Sequence, residues 1–225
     1  MKKHIIYIFA LMISVLFSAC SDDNEILEEN KLLHEKVNET LKEKINNSML
    51  PEAILTNSDE NAKNVVSGLT DFKDITNEVL GYLEVPKNTI SSTITDNKEQ
   101  YNWLDIVLGD AVEVDYTIEK EADKFSFVYN ISAGSQSLDF LKGNTSIDQK
   151  SGIIVITQSN TSGSLTWEVS GNQLTIEIFF ITKSTLQINT LDKSGKITYS
   201  SGISYEWFSD GSGKKIDENE NEFTW

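Results

Sequence analysis

The chain has no arginine, one cysteine, two histidines and two prolines among its 225 residues. Its formal net charge is −16. Nucleic-acid binding depends on cationic side chains, among which arginine reads phosphate and guanine best, so this acidic chain is a poor candidate for it. The same charge would repel anionic lipid headgroups, so charge does not hold the protein at a membrane. One cysteine also excludes an internal disulfide and a paired-thiolate zinc site.

The scarcity of histidine limits the catalytic chemistry that the chain could perform. A hydrolytic triad needs a base beside its nucleophile, yet the only histidines are His4 and His34. No Gly-x-Ser-x-Gly motif is present either. We interpret His34 as a surface residue of a helix. The sequence therefore predicts no catalytic residue and no enzyme activity.

The first twenty residues follow the order of a secretory signal. Lys2 and Lys3 precede an apolar run from Ile5 to Phe17, and the small residues Ser18 and Ala19 come next. The run is shorter than the roughly 20 residues that a transmembrane helix requires. Residues 1–19 are therefore predicted to be a cleaved signal peptide. Cys20 at the cleavage point then indicates lipid attachment.

The segment Leu16-Phe17-Ser18-Ala19-Cys20 resembles a bacterial lipoprotein box, although Phe17 stands where the common form has leucine. The run Ser21-Asp22-Asp23 after it resembles the acidic export signal of surface lipoproteins of the Bacteroidota. The resemblance implies acyl chains such as palmitate on Cys20, which hold the protein at the outer membrane on the cell-surface side. A periplasm-facing position is the alternative. The resemblance covers about 25 residues and implies no fold or activity.

Residues 20–86 are predicted to be the lipidated N-terminus and a helical segment. An apolar stripe at spacings of seven and four indicates an amphipathic helix from about Asn24; its members are Ile26, Leu33, Val37, Leu41 and Ile45. Pro51 interrupts this pattern. A second helix is predicted from Ser58, its expected cap, to Leu80.

Residues 87–225 are predicted to be an antiparallel β domain. Apolar side chains alternate with polar ones in successive runs, with inward positions Val112, Val114, Tyr116, Ile118, then Phe125, Phe127, Tyr129, and later Leu165, Trp167, Leu174, Ile176, Tyr205 and Trp207. Turn signals separate the runs at about ten-residue spacing, which predicts a meander of roughly eight to ten strands. The stretch Tyr101–Leu108 is compatible with a short helix or a first strand.

Strands that are apolar on one face only need a cover. We therefore predict an α+β fold, mainly β, in which the N-terminal amphipathic helices lie against an antiparallel meander shaped as a curved sheet or half-barrel. The alternative is a closed or sandwiched β domain with the helical segment as a separate stalk.

The abundant carboxylates suggest two further chemistries. The run Asp217–Asn221 has the alternating oxygen ligands of a calcium loop, but Glu222 stands where the loop requires glycine. We interpret it as a polar hairpin turn and expect no cofactor and no metal, with calcium there or at Ser21–Asp23 as the alternative. The other acids are expected on the solvated outer face rather than in a catalytic pair: Glu113, Asp115, Glu119, Glu168, Glu177 and Glu206.

Two features favour binding over catalysis. The runs Ile153–Ile156 and Ile178–Ile181 are apolar on both faces, which indicates either a doubly buried strand or the apolar wall of a carrier. Phe179, Phe208 and Trp225 are expected to face outward, where exposed rings serve as ligand contacts.

Together these patterns predict a lipid-anchored cell-envelope protein with a non-catalytic β-rich domain that binds a glycan, lipid or protein ligand. A carrier of a lipid or other apolar ligand is the alternative. A carboxylate-dependent glycan hydrolase is the third hypothesis.

Overall fold

The computed structural model describes residues 31–42, 45, 47–107, 109–158 and 161–225. Leu33–Trp225 form one compact unit. Its elements are three α-helices, one 3-10 helix and thirteen strands: α1 (Leu33–Lys42), the 3-10 helix (Asn47–Met49), α2 (Glu52–Leu55), α3 (Glu60–Gly81), β1 (Ser91–Thr95), β2 (Lys98–Val107), β3 (Asp110–Lys120), β4 (Lys124–Ala133), β5 (Gln136–Ser146), β6 (Ser151–Gln158), β7 (Thr161–Ser170), β8 (Gln173–Phe179), β9 (Lys183–Asn189), β10 (Gly195–Tyr199), β11 (Ser204–Trp207), β12 (Gly213–Ile216) and β13 (Glu222–Thr224).

All thirteen strands form one open antiparallel sheet whose spatial order follows the chain from β1 to β13. This confirms the predicted α+β fold, mainly β, with a meander topology. The predicted strand number is too low. Strand β1 is exposed at every position, and β12 and β13 have only four and three residues, so none of them shows a clear alternation. Tyr101–Val107 belongs to strand β2 rather than to a helix.

The sheet has two chemically different faces, as the alternation predicts. On the inner face Val114, Tyr116 and Ile118 are fully buried, whereas Glu113 and Asp115 on the outer face are exposed. Cross-strand partners on the inner face form rows that run across the sheet from strand to strand. One such row contains Phe125, Thr145, Gly152, Trp167, Ile176, Leu186, Ile197 and Tyr205.

The helices cover the inner face. Buried residues of α1 and α3 belong to the same apolar core as the strands, including Leu33, Val37, Ala62, Val65, Leu69, Phe72 and Val79. Gly68 of α3 lies against Tyr199 of β10. Tyr82, directly after α3, places its ring edge-on to Tyr129 of β4 and Phe140 of β5, with centroids 6.2 and 5.0 Å apart. Because α3 also contacts β12, it crosses the sheet from β12 to β4, and helices α1 and α3 form a lid rather than a stalk.

The start of α3 differs from expectation by one residue. The carboxylate of Asp59, not the hydroxyl of Ser58, caps the helix by accepting a hydrogen bond of 2.7 Å from the Asn61 amide. A carboxylate at this position also interacts favourably with the positive end of the helix dipole. The sequence did not indicate the short helix α2.

Inner-face glycines make room for aromatic rings on neighbouring strands. A Cβ atom at any of five glycines would overlap such a ring, in the pairs Gly143–Phe127, Gly152–Trp167, Gly163–Phe180, Gly195–Trp207 and Gly213–Trp225. Trp225 is therefore half-buried over Gly213 rather than directed outward. Aromatic cover of glycine is a known way of stabilising strand pairs.

We predict that Gly195→Ala lowers the free energy of unfolding by roughly 1–3 kcal/mol, the usual cost of overpacking. The added methyl group would overlap the Trp207 indole and lie 2.5 Å from the Gln187 carbonyl oxygen. Gly81→Ala is the matched control, because nothing lies within 4 Å of the same group there and alanine favours helix by about 1 kcal/mol. Urea unfolding measures both variants. An equal effect in the two variants would contradict the role of the close packing.

Candidate functional site

The structure does not bring the residues predicted for ligand contact together. Phe179 lies on the outer face where β8 ends, and its exposed fraction is 47%. Phe208 follows β11 at the opposite end of the strands, with an exposed fraction of 43%. Trp225 packs on the inner face. Cys20 and Ser21–Asp23 lie outside the described residues, so the anchor and the export signal stay predictions.

Phe208 borders a recess of about 290 Å³ on the outer face of the sheet, which we call the outer groove. Its polar lining residues come from four consecutive strands and the turns beside them: Gln173, Gln187, Asn189, Ser194, Lys196 and Glu206. Strand register aligns them, because Gln187 is the partner of Lys196, and Lys196 is the partner of Glu206.

The outer groove combines one exposed aromatic ring with several kinds of hydrogen-bonding group. Gln187 donates and accepts, Lys196 only donates, and the Glu206 carboxylate only accepts. Lys214 Nζ lies 3.5 Å from the Glu206 carboxylate, so the negative charge is partly balanced. Such a site suits a ligand with many hydroxyl groups and an apolar ring face.

A second recess lies between α3 and strands β8–β11, and we call it the helix–sheet groove. Its polar part, about 480 Å³, is lined by Asn64, Ser67, Gly68, Asp71, Thr182, Ser184, Tyr199, Ser200, Ser201, Ile203 and Tyr205. Its apolar part, about 320 Å³, is lined by Phe72, Asp74, Ile75 and Ile178 together with Asp71, Ser184 and Tyr199. Because these last three residues line both parts, the two parts lie side by side. No sequence signal indicated it, since its two walls are more than 100 positions apart in the chain.

Asp71 and Tyr199 lie where the two parts of the helix–sheet groove meet. Burial, with a smaller contribution from the Asp71 charge, raises the pKa of Tyr199 above its ordinary value. The tyrosine therefore stays neutral and keeps its hydroxyl proton. The Tyr199 and Tyr205 rings are edge-on, with centroids 6.5 Å apart. In the part of the chain that the structure describes, the exposed Asp71 side chain has no hydrogen-bond or ion-pair partner.

Among the residues that the structure describes, the most buried charged side chain is that of Glu99, which is 1% exposed. It accepts hydrogen bonds from the amides of Leu33 and His34 at the start of α1, at 2.5 and 3.1 Å. The Tyr101 hydroxyl donates to it at 3.0 Å, and His34 Nδ1 lies 3.0 Å from the same Oε2 atom. Glu99 thus holds α1 on the sheet.

His34 is not the surface residue that the sequence suggested. Its side chain is 15% exposed, and its ring packs edge-on to Tyr101 with centroids 5.2 Å apart. The periodicity of α1 placed it beside the apolar stripe but could not show a buried acid 65 residues away. Because Glu99 is enclosed by these groups, the cluster fits helix docking better than contact with a ligand.

A buried hydroxyl without a partner lies next to this cluster. Tyr116 is the cross-strand neighbour of Tyr101, and its hydroxyl has no hydrogen-bond partner within the described residues. Burial first, and then the Glu99 charge, raises the pKa of Tyr116 well above its ordinary value. Tyr116 therefore stays neutral in the core.

Two of the outward acids, Glu113 and Asp115, lie together on the open outer face rather than across a cleft. Asn102 Nδ2 donates to both Glu113 and Asp115, at 2.9 and 3.0 Å, on the open outer face. At the C-terminal turn, Asp217 Oδ1 accepts from the amides of Asn219 and Asn221, and its Oδ2 accepts from the Asn221 side chain. This is the bonding of a polar hairpin turn. Among the residues whose placement is described, no group of three or more His, Cys, Asp or Glu is arranged to hold a metal.

We predict a pH-dependent stabilisation by Glu99. Burial raises the pKa of its carboxyl, but the hydrogen bonds from His34, Leu33 and Tyr101 outweigh burial and lower it below its ordinary value. A lowered pKa in the folded state means that the stabilisation is full above the unfolded-state pKa, about 4.3, and is lost as pH falls through the folded-state pKa.

The test compares Glu99→Gln with wild type by urea unfolding between pH 7 and pH 3. At pH 7 the variant should lose about 1.5–3 kcal/mol, the usual value of hydrogen bonds to a charged group, and the difference should shrink at the acidic end. Glu168→Gln, at an exposed outer-face position, is the control and should show neither effect. A difference that is independent of pH would contradict the ionised state of Glu99.

None of the helices in the described ranges is long and apolar enough to cross a membrane. No protein-family model, curated protein or solved structure matches the chain.

Proposed function

We propose that the protein is a lipid-anchored component of a bacterial cell envelope whose β domain binds a glycan in the outer groove without catalysing a reaction. The anchor rests on the lipoprotein-like segment that ends at Cys20. The binding function rests on the outer groove, and the observation that carries it is the exposed Phe208 ring beside the aligned side chains of Gln187, Lys196 and Glu206.

This arrangement supports a glycan for three physical reasons. The aromatic ring offers an apolar face to the C–H groups of a sugar ring. The amides, the ammonium group and the carboxylate offer donors and acceptors to its hydroxyl groups. The groove is open on the sheet face, so a long chain could pass over it. The strong negative charge of the protein, −16, favours a neutral glycan over an acidic one.

The two competing hypotheses have less support. A hydrolase would need two carboxylates flanking a cleft, but Glu113 and Asp115 share one amide on an open face. A carrier would use the inner face as its container, and buried side chains of α1, α3 and the strands share one core there.

We predict that Cys20→Ala abolishes acylation. Cells labelled with a palmitate analogue should incorporate the label into the wild-type protein but not into the variant. The variant should also leave the outer-membrane fraction. Ser21→Ala, one residue beyond the cysteine, is the control and should keep the label. A labelled Cys20→Ala protein, or an unlabelled wild type, would contradict the anchor, and protease treatment of intact cells separates the surface from the periplasmic side.

We predict that Phe208→Ala weakens glycan binding about tenfold, which corresponds to the loss of roughly 1.4 kcal/mol. Binding is measured by calorimetry against a panel of neutral oligosaccharides and polysaccharides, with Cys20→Ser in every protein to prevent acylation. Phe179→Ala is the matched control, because this ring has a similar exposed fraction at the other end of the outer face. The substitution should not affect binding. A panel without any binder, or equal losses in both variants, would contradict the proposal.

A further inference from the structure

The helix–sheet groove differs from the outer groove in having one largely apolar end and one end of mixed polar and apolar lining. The apolar end is walled by the buried side chains of Phe72 and Ile178 and the half-buried side chain of Ile75. The polar end is walled by serine, asparagine and tyrosine side chains, among them Ser67 and Ser201. A ligand that fills both parts must itself have an apolar part and a polar part.

The size of the groove suits a small molecule. Its parts measure about 480 and 320 Å³, and small-molecule sites occupy roughly 300–1,000 Å³. Each methylene group that enters the apolar end is removed from water, which favours binding. A short alkyl chain therefore supplies affinity without any change in the protein core.

The charge of the groove selects the polar head of such a ligand. The residues that line its two parts include the acids Asp71 and Asp74 and no basic residue. Asp71 lies where the polar and apolar parts meet and has no ion-pair partner among the described residues. The net charge of the whole chain has the same sign, so an anionic head is repelled both locally and at long range.

We propose that the helix–sheet groove is a second binding site, which takes an amphiphile with a positively charged ammonium head. The head pairs with Asp71 at the junction, and the alkyl chain enters the apolar end beside Phe72 and Ile178. Tyr199 lines both parts of the groove, and its hydroxyl end lies against Gly68 of α3. The site does not depend on glycan binding in the outer groove.

The test uses three probes with the same eight-carbon chain: octyltrimethylammonium, octyl glucoside and octanoate. Each is titrated by calorimetry below its micelle concentration into the full chain carrying Cys20→Ser. We expect one site per chain, which binds the ammonium probe about fivefold tighter than the glucoside, as one exposed ion pair allows. Octanoate should bind most weakly. Equal affinities for the three probes, or binding of several cations without saturation, would overturn the proposal.

Two variants, each with a matched control, test whether the probe binds in the helix–sheet groove. Asp71→Asn should remove the preference for the ammonium probe and leave glucoside binding unchanged, whereas Asp123→Asn, in an exposed turn, should change neither. Ser184→Trp should block the groove, because Ser184 lines both parts. Thr185→Trp adds the same ring to the outer face of β9 and should leave binding intact. Retained preference in Asp71→Asn would contradict the proposed ion pair.

If Ser184→Trp fails to fold, amide chemical shifts of the wild-type protein locate the binding site instead. The ammonium probe should shift the amides of Gly68, Asp71 and Ser184, and shifts confined to other parts of the chain would overturn the site. Phe208→Ala tests whether the ammonium probe binds in the helix–sheet groove or in the outer groove. It should keep the affinity for the ammonium probe, and a loss there would show that the probe binds the outer groove instead.

Discussion

The contact between α3 and the inner face of the sheet is the constraint on which the rest of the structure depends. Thirteen strands in one open sheet bury no apolar surface unless something covers a face, since no second sheet is present in the described residues. Helix α3 covers the inner face between β12 and β4, and α1 extends the cover to β2 and β3. A sheet covered on one side must be polar on the other. Both candidate grooves follow from this division, because one lies on the free face and one lies where the cover leaves a gap.

Close packing between neighbouring strands supports this contact. Tryptophan is the largest side chain in the protein, and Trp167 and Trp207 both lie on the face that the helices must approach. Each ring lies over a glycine of the adjacent strand, Gly152 or Gly195. The indole rings therefore occupy space within the sheet rather than the space that the helices need. At Gly68 the glycine lies in the helix instead, and its missing side chain leaves room for the Tyr199 side chain of the sheet. Gly68 thus sets the distance between helix and sheet at this contact, although glycine within a helix is usually destabilising.

The sequence predicted those parts of the fold that depend on local periodicity. The faces of β3, β4, β7 and β8 followed from strict alternation, and α3 followed from its apolar stripe. Strands β1 and β13 were not predicted, because an exposed edge strand has no buried face and therefore no alternation of apolar and polar residues. The contact of His34 with Glu99 escaped for a different reason. The two residues are 65 positions apart. Glu99 is one acid among many in an acidic sequence, so nothing in the sequence marks it as buried.

The two grooves illustrate the same difference at the level of function. The outer groove is built from the outward register of consecutive hairpins, so Gln187, Lys196 and Glu206 become neighbours as soon as the strand order is a meander. Its composition is therefore a consequence of patterns visible in the sequence. The helix–sheet groove depends on where α3 crosses the strands, and this position is determined by side-chain packing over the whole inner face. A change in the core, at Gly68 for example, would alter the helix–sheet groove and leave the outer groove intact. The two sites are therefore independent in structure although one sheet carries both.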